Sequence, residues 1–381
     1  MPYFSLLDCV LLIIRLVDLI LEYNLKNISS ISLFSGGGGL DLGFAAAGYD
    51  IQASIEIDQF SCNTLKINSG KRHYLGNGLV INDDIKNISS DILSNYLHCN
   101  LSNIDALMGG PPCQAFSVFG RRKGINDPRG NLIWEYLRIL KEIQPKVFVF
   151  ENVSGLKTIH NGELYKRLLE DLSCDGIYTV SDHNYNIANY GIPQFRNRIF
   201  FIGVKGKEQI PPMAITHGNQ DNLSNLLPYV TAGKALKNMP DPNETHLLLN
   251  HIGRKHSKRI VDRYKSLSFG ERDHCTRINK LDPNRPSFTI IVGSDKGGGK
   301  GHIHPYSPRE VTPRESARIQ TFPDWWEFYG NGRHVIRQVG NAVPPLFSAL
   351  LAQHIRKHVF DEKQIIDYNY FVEKLELDYL R

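Results

Sequence analysis

The amino-acid sequence predicts an α/β fold: a doubly wound, mostly parallel sheet with a second, smaller and irregular domain. Between residues 31 and 204, short β-rich apolar segments alternate with helical segments. The strand segments are continuous apolar runs, which is typical of parallel strands buried on both faces. Glycine-rich or polar runs follow several strands directly, and open parallel sheets bind ligands at these carboxyl ends. The candidate site therefore lies along one edge of the sheet.

Five strands are predicted in chain order, at residues 31–34, 51–55, 104–108, 147–150 and 199–204. Helices are predicted at residues 40–47, 132–143, 164–172, 313–320 and Pro345–Val359. Residues 27–205 form the first domain on this pattern. From residue 206 to 305 the periodicity weakens, and Pro, Asn, Gly and basic residues increase, which indicates the second domain. Residues 306–360 return to the first domain, and the charged tail, residues 361–381, is expected to be helical at the surface.

Composition and length agree with a packed two-domain protein. The chain has 381 residues, of which 41% are hydrophobic and 22% charged, as in ordinary globular proteins. Its six cysteines form no CxxC pair, which argues against a zinc site and a disulfide scaffold. Because no secretion signal is recognisable, we expect a reducing, cytoplasmic environment.

The first 26 residues read as an apolar, amphipathic extension. Asp8, Arg15 and Asp18 interrupt the apolar run, so no uncharged stretch reaches the roughly 20 residues that span a bilayer. The extension also lacks the basic start and the cleavage site of a signal peptide. We expect a helix packed on the body or on a partner, and no association with a membrane.

Charge is unevenly distributed along the chain. The formal net charge is +5, yet the segment from His251 to Arg314 (the basic segment) carries 14 Lys and Arg against 6 Asp and Glu. Such a concentration of cations predicts a surface for a polyanion. The alternative is an ordinary solvated charged face.

The first ligand-binding candidate is the glycine run from Phe34 to Leu40, which follows a strand and precedes a helix. Glycines allow a tight turn and close approach of backbone to ligand. Glu56 ends the next strand, about 20 residues on, where a carboxylate can bond ribose hydroxyls. Asp84 lies in the run Asn82-Asp83-Asp84-Ile85, which follows a further strand position between the strands at residues 51–55 and 104–108. It could bond an adenine amino group, although a plain loop turn would look the same. A dinucleotide site shares these features; a phosphate-binding GxxxxGK[ST] loop is excluded here.

Three further motifs carry candidate chemistry. Cys113 follows Gly109-Gly110-Pro111-Pro112, a rigid loop that exposes a thiol, whereas most lone cysteines are buried and inert. Glu151 ends a strand in apolar surroundings, where a carboxyl of raised pKa can donate a proton. Arg196 and Arg198 alternate with apolar residues and would share one face of an extended segment, able to hold phosphate or polarise a carbonyl. An exposed edge strand is the alternative for this pair.

The run from Gln338 to Pro345 completes a set of six motifs, in order, between residues 31 and 356. The glycine run, the Pro-Cys loop, Glu-Asn-Val, Gln-x-Arg-x-Arg, the stretch 314–320 and Gly340-Asn341 together resemble the bacterial DNA (cytosine-5-)-methyltransferase family of restriction-modification systems. The resemblance implies a Rossmann-like methyltransferase fold. It also implies methylation of carbon 5 of a specific cytosine in double-stranded DNA with S-adenosyl-L-methionine as the cofactor.

The resemblance also implies roles for individual residues. Cys113 would add to carbon 6 of a flipped-out cytosine, and Glu151 would protonate nitrogen 3. Arg196 and Arg198 resemble the arginines of the family that bind the cytosine carbonyl and order the site. The implied cofactor-binding residues are Phe34, Gly36, Gly38, Gly39, Leu40, Glu56, Ile57, Asp84, Ile85, Pro112, Asn341 and Ala342. The implied substrate-binding residues are Gln114, Ser117, Gln194 and Thr289.

The implied partner is double-stranded DNA, bound by a target-recognition domain at residues 206–305. A restriction endonuclease acting on the same site is a possible companion, and the chain is expected to be a monomer. Three alternatives share part of the pattern: a tRNA cytosine-5 methyltransferase, a non-catalytic DNA-binding regulator, and a nicotinamide-dependent oxidoreductase. The basic insert favours DNA over tRNA, and the intact Cys113 and Glu151 disfavour the regulator. The oxidoreductase leaves the Pro-Cys loop unexplained.

Overall fold

The computed structural model describes residues 27–71, 76, 78–112, 131–206, 208–219, 225–290, 292, 301–362, 364 and 366–381. The predicted extension at residues 1–26 lies outside this part of the chain, as do the predicted site residues Cys113, Gln114 and Ser117.

A seven-stranded sheet organises the molecule, with strand order β3-β2-β1-β4-β5-β7-β6. The strands are β1 Ile28–Leu33, β2 Tyr49–Glu56, β3 Leu79–Asn82, β4 Ala106–Gly109, β5 Val147–Val153, β6 Tyr178–Asn186 and β7 Asn197–Lys205. The first five pair in parallel, and β7 runs antiparallel to both β5 and β6. The predicted doubly wound, mostly parallel sheet is confirmed. A short strand pair, β8 His217–Gly218 and β9 Leu227–Pro228, lies outside the sheet.

The α-helices of the described part are α1 Gly39–Ala46, α2 Gln59–Asn68, α3 Ser90–Leu97, α4 Asn131–Ile143, α5 Glu163–Leu172, α6 Ala232–Ala235, α7 Lys258–Ser266, α8 Pro313–Ile319, α9 Gly332–Asn341, α10 Pro345–Val359 and α11 Tyr368–Lys374. None of them is long and apolar enough to cross a membrane.

Both faces of the sheet are covered, which explains the continuous apolar runs in the sequence. In β5, Val147 and Val149 join one apolar cluster, whereas Phe148 and Phe150 join the cluster on the opposite face. Successive side chains of a strand point to opposite faces, so a strand buried twice needs apolar residues throughout.

The carboxyl-terminal helix α10 returns to the start of the sheet and crosses α1 closely. A Cβ on Gly43 of α1 would lie 2.3 Å from the Ser348 Cβ of α10, and one on Gly39 would lie 2.2 Å from the Val343 carbonyl oxygen. Only glycine allows this approach. The contact brings residues 341–343 to the turn that follows β1.

The sequence prediction differs from the structure in several elements of the described part, among them β3 and β6, which are absent from the five predicted strands, and α2, α3, α7 and α9, which are absent from the predicted helices. The edge strand β6 was not predicted, because its sequence is polar and only half buried, so it lacks the apolar run used to recognise the others. The tail, residues 361–381, contains a helix as predicted, but this segment is partly built into the core. Phe371, Leu375 and Leu377 are buried in the main apolar cluster.

The domain that carries the sheet, residues 27–205 and 306–381, is called the catalytic body below. The first part of the predicted second domain packs into the core of this body. Ile210, Val230 and Leu236 belong to the same apolar cluster as α10. Further along, a small separate cluster consists of Tyr264, Ile278 and Ile303.

Candidate active site

The turn after β1 is shaped by residues in the left-handed backbone region. Phe34 has φ of 56° and Gly36 has φ of 54°. For a bulky residue such as Phe34 this conformation is uncommon, and such outliers cluster at ligand sites. The Gly36 amide donates a 2.8 Å hydrogen bond to the Glu56 carboxylate. The turn and the end of β2 are therefore joined directly.

The Glu56 carboxylate accepts hydrogen bonds from two backbone amides, that of Gly36 after β1 and that of Asp58 after β2. Its other carboxylate oxygen accepts a 2.8 Å hydrogen bond from the Asp58 amide. Burial raises the pKa of Glu56, and the two amide hydrogen bonds oppose that rise. Each carboxylate oxygen has two lone pairs, so both retain capacity to accept a ligand hydroxyl.

A buried polar network lies beneath the glycine turn. Asp41, fully buried in α1, accepts hydrogen bonds from the Ser32 hydroxyl at 2.6 Å and the Ser54 hydroxyl at 2.7 Å. Ser35, within the turn, donates to the Ser32 hydroxyl at 2.9 Å. Burial raises the pKa of Asp41 and the serine hydrogen bonds lower it. No local sequence pattern indicates this network, because its members come from three separate elements, β1, β2 and α1.

A cavity of about 570 Å³ opens at the carboxyl ends of β1, β2, β4 and β5. It brings together eleven of the twelve predicted cofactor residues, namely Phe34, Gly36, Gly39, Leu40, Glu56, Ile57, Asp84, Ile85, Pro112, Asn341 and Ala342. Gly38 is not among its lining residues, because a Cβ there would point at Leu65 and Trp326, at 2.7 and 2.8 Å. Its role is close packing behind the turn.

Glu151 and Arg198 face each other in the same cavity. The Arg198 Nε lies 3.0 Å from the Glu151 Oε1, and this oxygen is buried without a hydrogen-bond partner in the described part of the chain. The ion pair therefore leaves that oxygen with capacity for a ligand hydrogen bond.

The Pro-Pro loop is held against Glu151. Asn152 is buried and its amide donates to the Pro111 carbonyl at 3.2 Å. A Cβ on Gly110 would lie 2.8 Å from the Glu151 Oε2, so a larger residue at this position would require the Glu151 carboxylate to move. Pro112 lines the cavity and Cys113 is the next residue. The motif containing Asn152 was recognised in the sequence, but its anchoring role was not.

Arg196 does not join Arg198 in the cavity. Strand β7 begins at Asn197, so the alternation that would place both arginines on one face does not extend to Arg196. Its side chain is 1% exposed and donates to the Gly340 carbonyl at 2.8 Å. Burial, and then the neighbouring charge of Arg198, lower the pKa of Arg196 to about 9. The expectation that it binds the cytosine carbonyl therefore needs revision.

Gln194 and Thr289, both predicted to bind substrate, meet at the junction between the catalytic body and the basic segment. Gln194 is fully buried and donates to the Gln320 side chain at 2.9 Å. Thr289 is exposed and its hydroxyl donates to the Phe195 carbonyl at 2.8 Å. Burial excludes direct substrate contact by Gln194 in this conformation, whereas Thr289 stays accessible.

Cations of the basic segment divide into two groups. Arg263 pairs with the buried Asp273 at 2.6 Å, and Arg309 binds both carboxylate oxygens of Glu315 at 2.7 Å. The other group is exposed and includes Lys255, Lys258, Arg259, Lys265 and Arg285. Part of the local positive charge is therefore used within the fold.

Comparison with known proteins defines the class to which this fold and cavity belong. Residues 28–357 match the family described as C-5 cytosine-specific DNA methylase. The chain belongs to this family and is a DNA (cytosine-5-)-methyltransferase, which confirms the resemblance seen in the sequence.

Individual relatives of this chain are type II methyltransferases. The chain is 34% identical over 360 residues to the Type II methyltransferase M.NgoFVII of Neisseria gonorrhoeae, which covers 91% of each protein. It is 34% identical over 342 residues to M1.HphI of Haemophilus parahaemolyticus, covering 87% of each. Among solved structures, a protein described as a prophage-encoded DNA modification methyltransferase from E. coli aligns with a TM-score of 0.69 and 30% identity, over 88% of this chain and 100% of that one.

Proposed function

We propose that this enzyme flips a specific cytosine out of double-stranded DNA, attacks carbon 6 with Cys113 and methylates carbon 5 with S-adenosylmethionine. The observation that carries the proposal is one cavity that combines the turn after β1, the Glu56 and Asp84 carboxylates and the Glu151–Arg198 pair. Pro112, the residue before Cys113, lines the same cavity. The family supplies the substrate class, DNA cytosine, and the kind of reaction, methyl transfer.

The donor set of the cavity fits S-adenosylmethionine. Glu56 would accept from the ribose hydroxyls and Asp84 from the adenine amino group, while Phe34 and Ile57 offer apolar contact to the adenine ring. The side of Gly36 where a Cβ would stand is open, since the nearest atom is 3.9 Å away. When bound, the cofactor supplies an electrophilic methyl group on a sulfonium sulfur.

Carbon 5 of cytosine is a poor nucleophile because its electrons belong to an aromatic ring. The Cys113 thiolate forms a bond from sulfur to carbon 6, while nitrogen 3 takes a proton from Glu151, which acts here in its protonated form and not as the carboxylate of the pair with Arg198. Carbon 5, now enamine-like, could then accept the methyl group that a cofactor held by Glu56 and Asp84 would supply, with the thioether as the leaving group. A base then removes the carbon 5 proton, nitrogen 3 returns its proton to Glu151, and the bond from sulfur to carbon 6 breaks.

Access to carbon 6 requires the base to leave the duplex, which costs a few kcal/mol of stacking and pairing. The exposed cations of the basic segment would offset this cost through phosphate contacts. Arg198, at the cavity wall, would hold the carbonyl of the flipped cytosine. We further propose that the enzyme acts as a monomer beside an endonuclease of the same specificity, because its relatives are type II restriction-modification enzymes.

The Cys113→Ser variant tests the covalent step. We expect methyl incorporation into duplex DNA to fall below about one thousandth of the wild-type rate, because a hydroxyl is a far weaker nucleophile than a thiolate at neutral pH. DNA affinity, measured by gel shift, should change less than about twofold. Bisulfite sequencing of DNA from cells expressing the wild type identifies the modified base and its context.

Duplex DNA carrying 5-fluorocytosine at that position provides the matched control. The wild type should form a denaturation-resistant complex, because fluorine cannot leave as a proton does, and Cys113→Ser should not. Full activity of the variant, or methylation of tRNA but not of duplex DNA, would contradict the proposal.

A further inference from the structure

Helix α9 ends at the cavity wall with carbonyl groups that the main-chain amides following the helix cannot satisfy. In an α-helix each carbonyl accepts from the amide four residues later, so Gly340 would need residue 344 and Asn341 residue 345. Both positions are proline, which has no amide hydrogen. The helix end is enclosed, since Gly340 is buried and a Cβ on it would lie 2.5 Å from the Val292 side chain.

Two buried side chains from distant parts of the sequence supply the missing donors. Arg196 donates to the Gly340 carbonyl at 2.8 Å and to the Asn341 carbonyl at 3.5 Å. Gln320 donates to the Val339 carbonyl at 2.7 Å and to the Ala342 carbonyl at 3.2 Å. Arg196 also places a positive charge at the negative end of the helix dipole.

Gln194 orients this cap from the side of the basic segment. Its amide nitrogen donates to the Gln320 side-chain oxygen at 2.9 Å, and its own side-chain oxygen accepts from the Ile290 amide at 3.4 Å. The Gln320 amide nitrogen is thereby directed toward α9. The residues that the cap holds, Asn341 and Ala342, line the cavity.

We propose that Arg196 is a positioning residue rather than a catalytic one: together with Gln320 it caps the carboxyl end of α9 and fixes Asn341 and Ala342 in the wall of the cofactor cavity. The inference rests on the proposed function, because it assigns that wall to S-adenosylmethionine. It predicts that loss of the cap weakens cofactor binding and leaves the chemical step intact. If Arg196 contacted the cytosine instead, its loss would slow the chemical step and leave cofactor binding intact.

Steady-state kinetics of Arg196→Met test this directly. We expect the KM for S-adenosylmethionine to rise about tenfold or more, because the buried Gly340 carbonyl loses its donor and the Asn341 carbonyl loses its 3.5 Å contact, while kcat stays within about twofold. The Kd for S-adenosylhomocysteine, measured by calorimetry without DNA, should rise in parallel. Arg196→Lys keeps the charge and one donor group, so its KM and Kd should lie between those of the wild type and those of Arg196→Met. This variant also provides the test if Arg196→Met does not fold.

Arg356→Met is the matched control. Arg356 is equally buried and donates to the Gly48 carbonyl at 3.1 Å, before the start of β2 and away from the cavity. The Arg356→Met substitution should lower the melting temperature without changing the KM for S-adenosylmethionine. A fall in kcat at unchanged KM for Arg196→Met, or an equal rise in KM for both variants, would overturn the proposal.

Hydrogen exchange separates the failure of this inference from the failure of the proposed function. Amides of residues 336–343 should exchange faster in Arg196→Met than in the wild type or in Arg356→Met, with no cofactor present. Unchanged exchange would refute the cap itself. If the wild type does not bind S-adenosylhomocysteine but exchange still accelerates, the cap stands and the cofactor assignment fails.

Discussion

The catalytic body and the basic segment are held together in different ways. The body is a sheet between two extensive apolar clusters, and its buried polar groups, such as Asp41, sit inside that core. The basic segment contributes Leu281, Ile290 and Val311 to the first of these clusters, but its separate cluster consists of Tyr264, Ile278 and Ile303. It also relies on pairs such as Arg263 with Asp273. The contrast shows that cations of the basic segment have two uses: some pair with buried carboxylates inside the fold, and others are exposed. Net charge alone therefore overstates how many of these cations a polyanion could reach.

The largest expected effect on stability comes from removing the polar hub of the body. Asp41→Ala leaves the Ser32 and Ser54 hydroxyls without their acceptor inside the core, and should lower the free energy of unfolding by about 2–4 kcal/mol. Urea denaturation measures the change. Asp41→Asn keeps one acceptor and should cost roughly half as much. Equal stability of Asp41→Ala and the wild type would mean that the network contributes nothing to the body.

The corresponding change in the basic segment should affect DNA binding rather than the whole fold. Asp273 is fully buried and accepts from Arg263 at 2.6 Å and from the Thr276 amide at 2.7 Å. Asp273→Ala leaves Arg263 unpaired, and we expect DNA affinity to fall by about 10-fold to 100-fold, the effect of roughly 1.4–2.8 kcal/mol. The Kd for S-adenosylhomocysteine should stay unchanged.

Exposed Asp262, in α7 of the same segment, provides the control for that experiment. Asp262→Ala should leave both affinities close to the wild-type values, because isolated surface substitutions have small effects. Loss of cofactor binding in Asp273→Ala would show that the two regions are not energetically separate.

The smallest effect distinguishes exposed cations from structural ones. Lys258 and Arg259, at the start of α7, are exposed. If each contacts a phosphate, replacing both by Gln should reduce the slope of log K against log salt by about 1.8, at 0.9 per contact. Arg263→Gln should lower the melting temperature and leave that slope within about 0.3, because its charge already faces Asp273. The same loss of slope in both variants would remove the distinction.

Local pattern predicted much of the site because its residues follow strand ends. Glu56, Asp84 and Glu151 were assigned from position alone, and all three line the cavity. Parallel strands bring their carboxyl ends to one edge, so a motif after each strand reaches the same place without knowledge of the contacts. The polar strand β6 was missed because an edge strand with one open face has no continuous apolar run.

By itself, the sequence determined the sheet, the order of the motifs and the family, since strand periodicity, glycine turns and residue order are local properties. The two prolines at positions 344 and 345 are also visible in the sequence, but α9 was not among the predicted helices, so the structure was needed to show that the Gly340 and Asn341 carbonyls end a helix. Only the tertiary structure decided which side chains donate to these carbonyls. Arg196 donates to the Gly340 carbonyl, 144 residues away in sequence, at a helix end that the basic segment covers. An arginine pair that reads as one unit in sequence is thereby divided, with Arg198 facing the cavity and Arg196 holding its wall, because β7 begins between them.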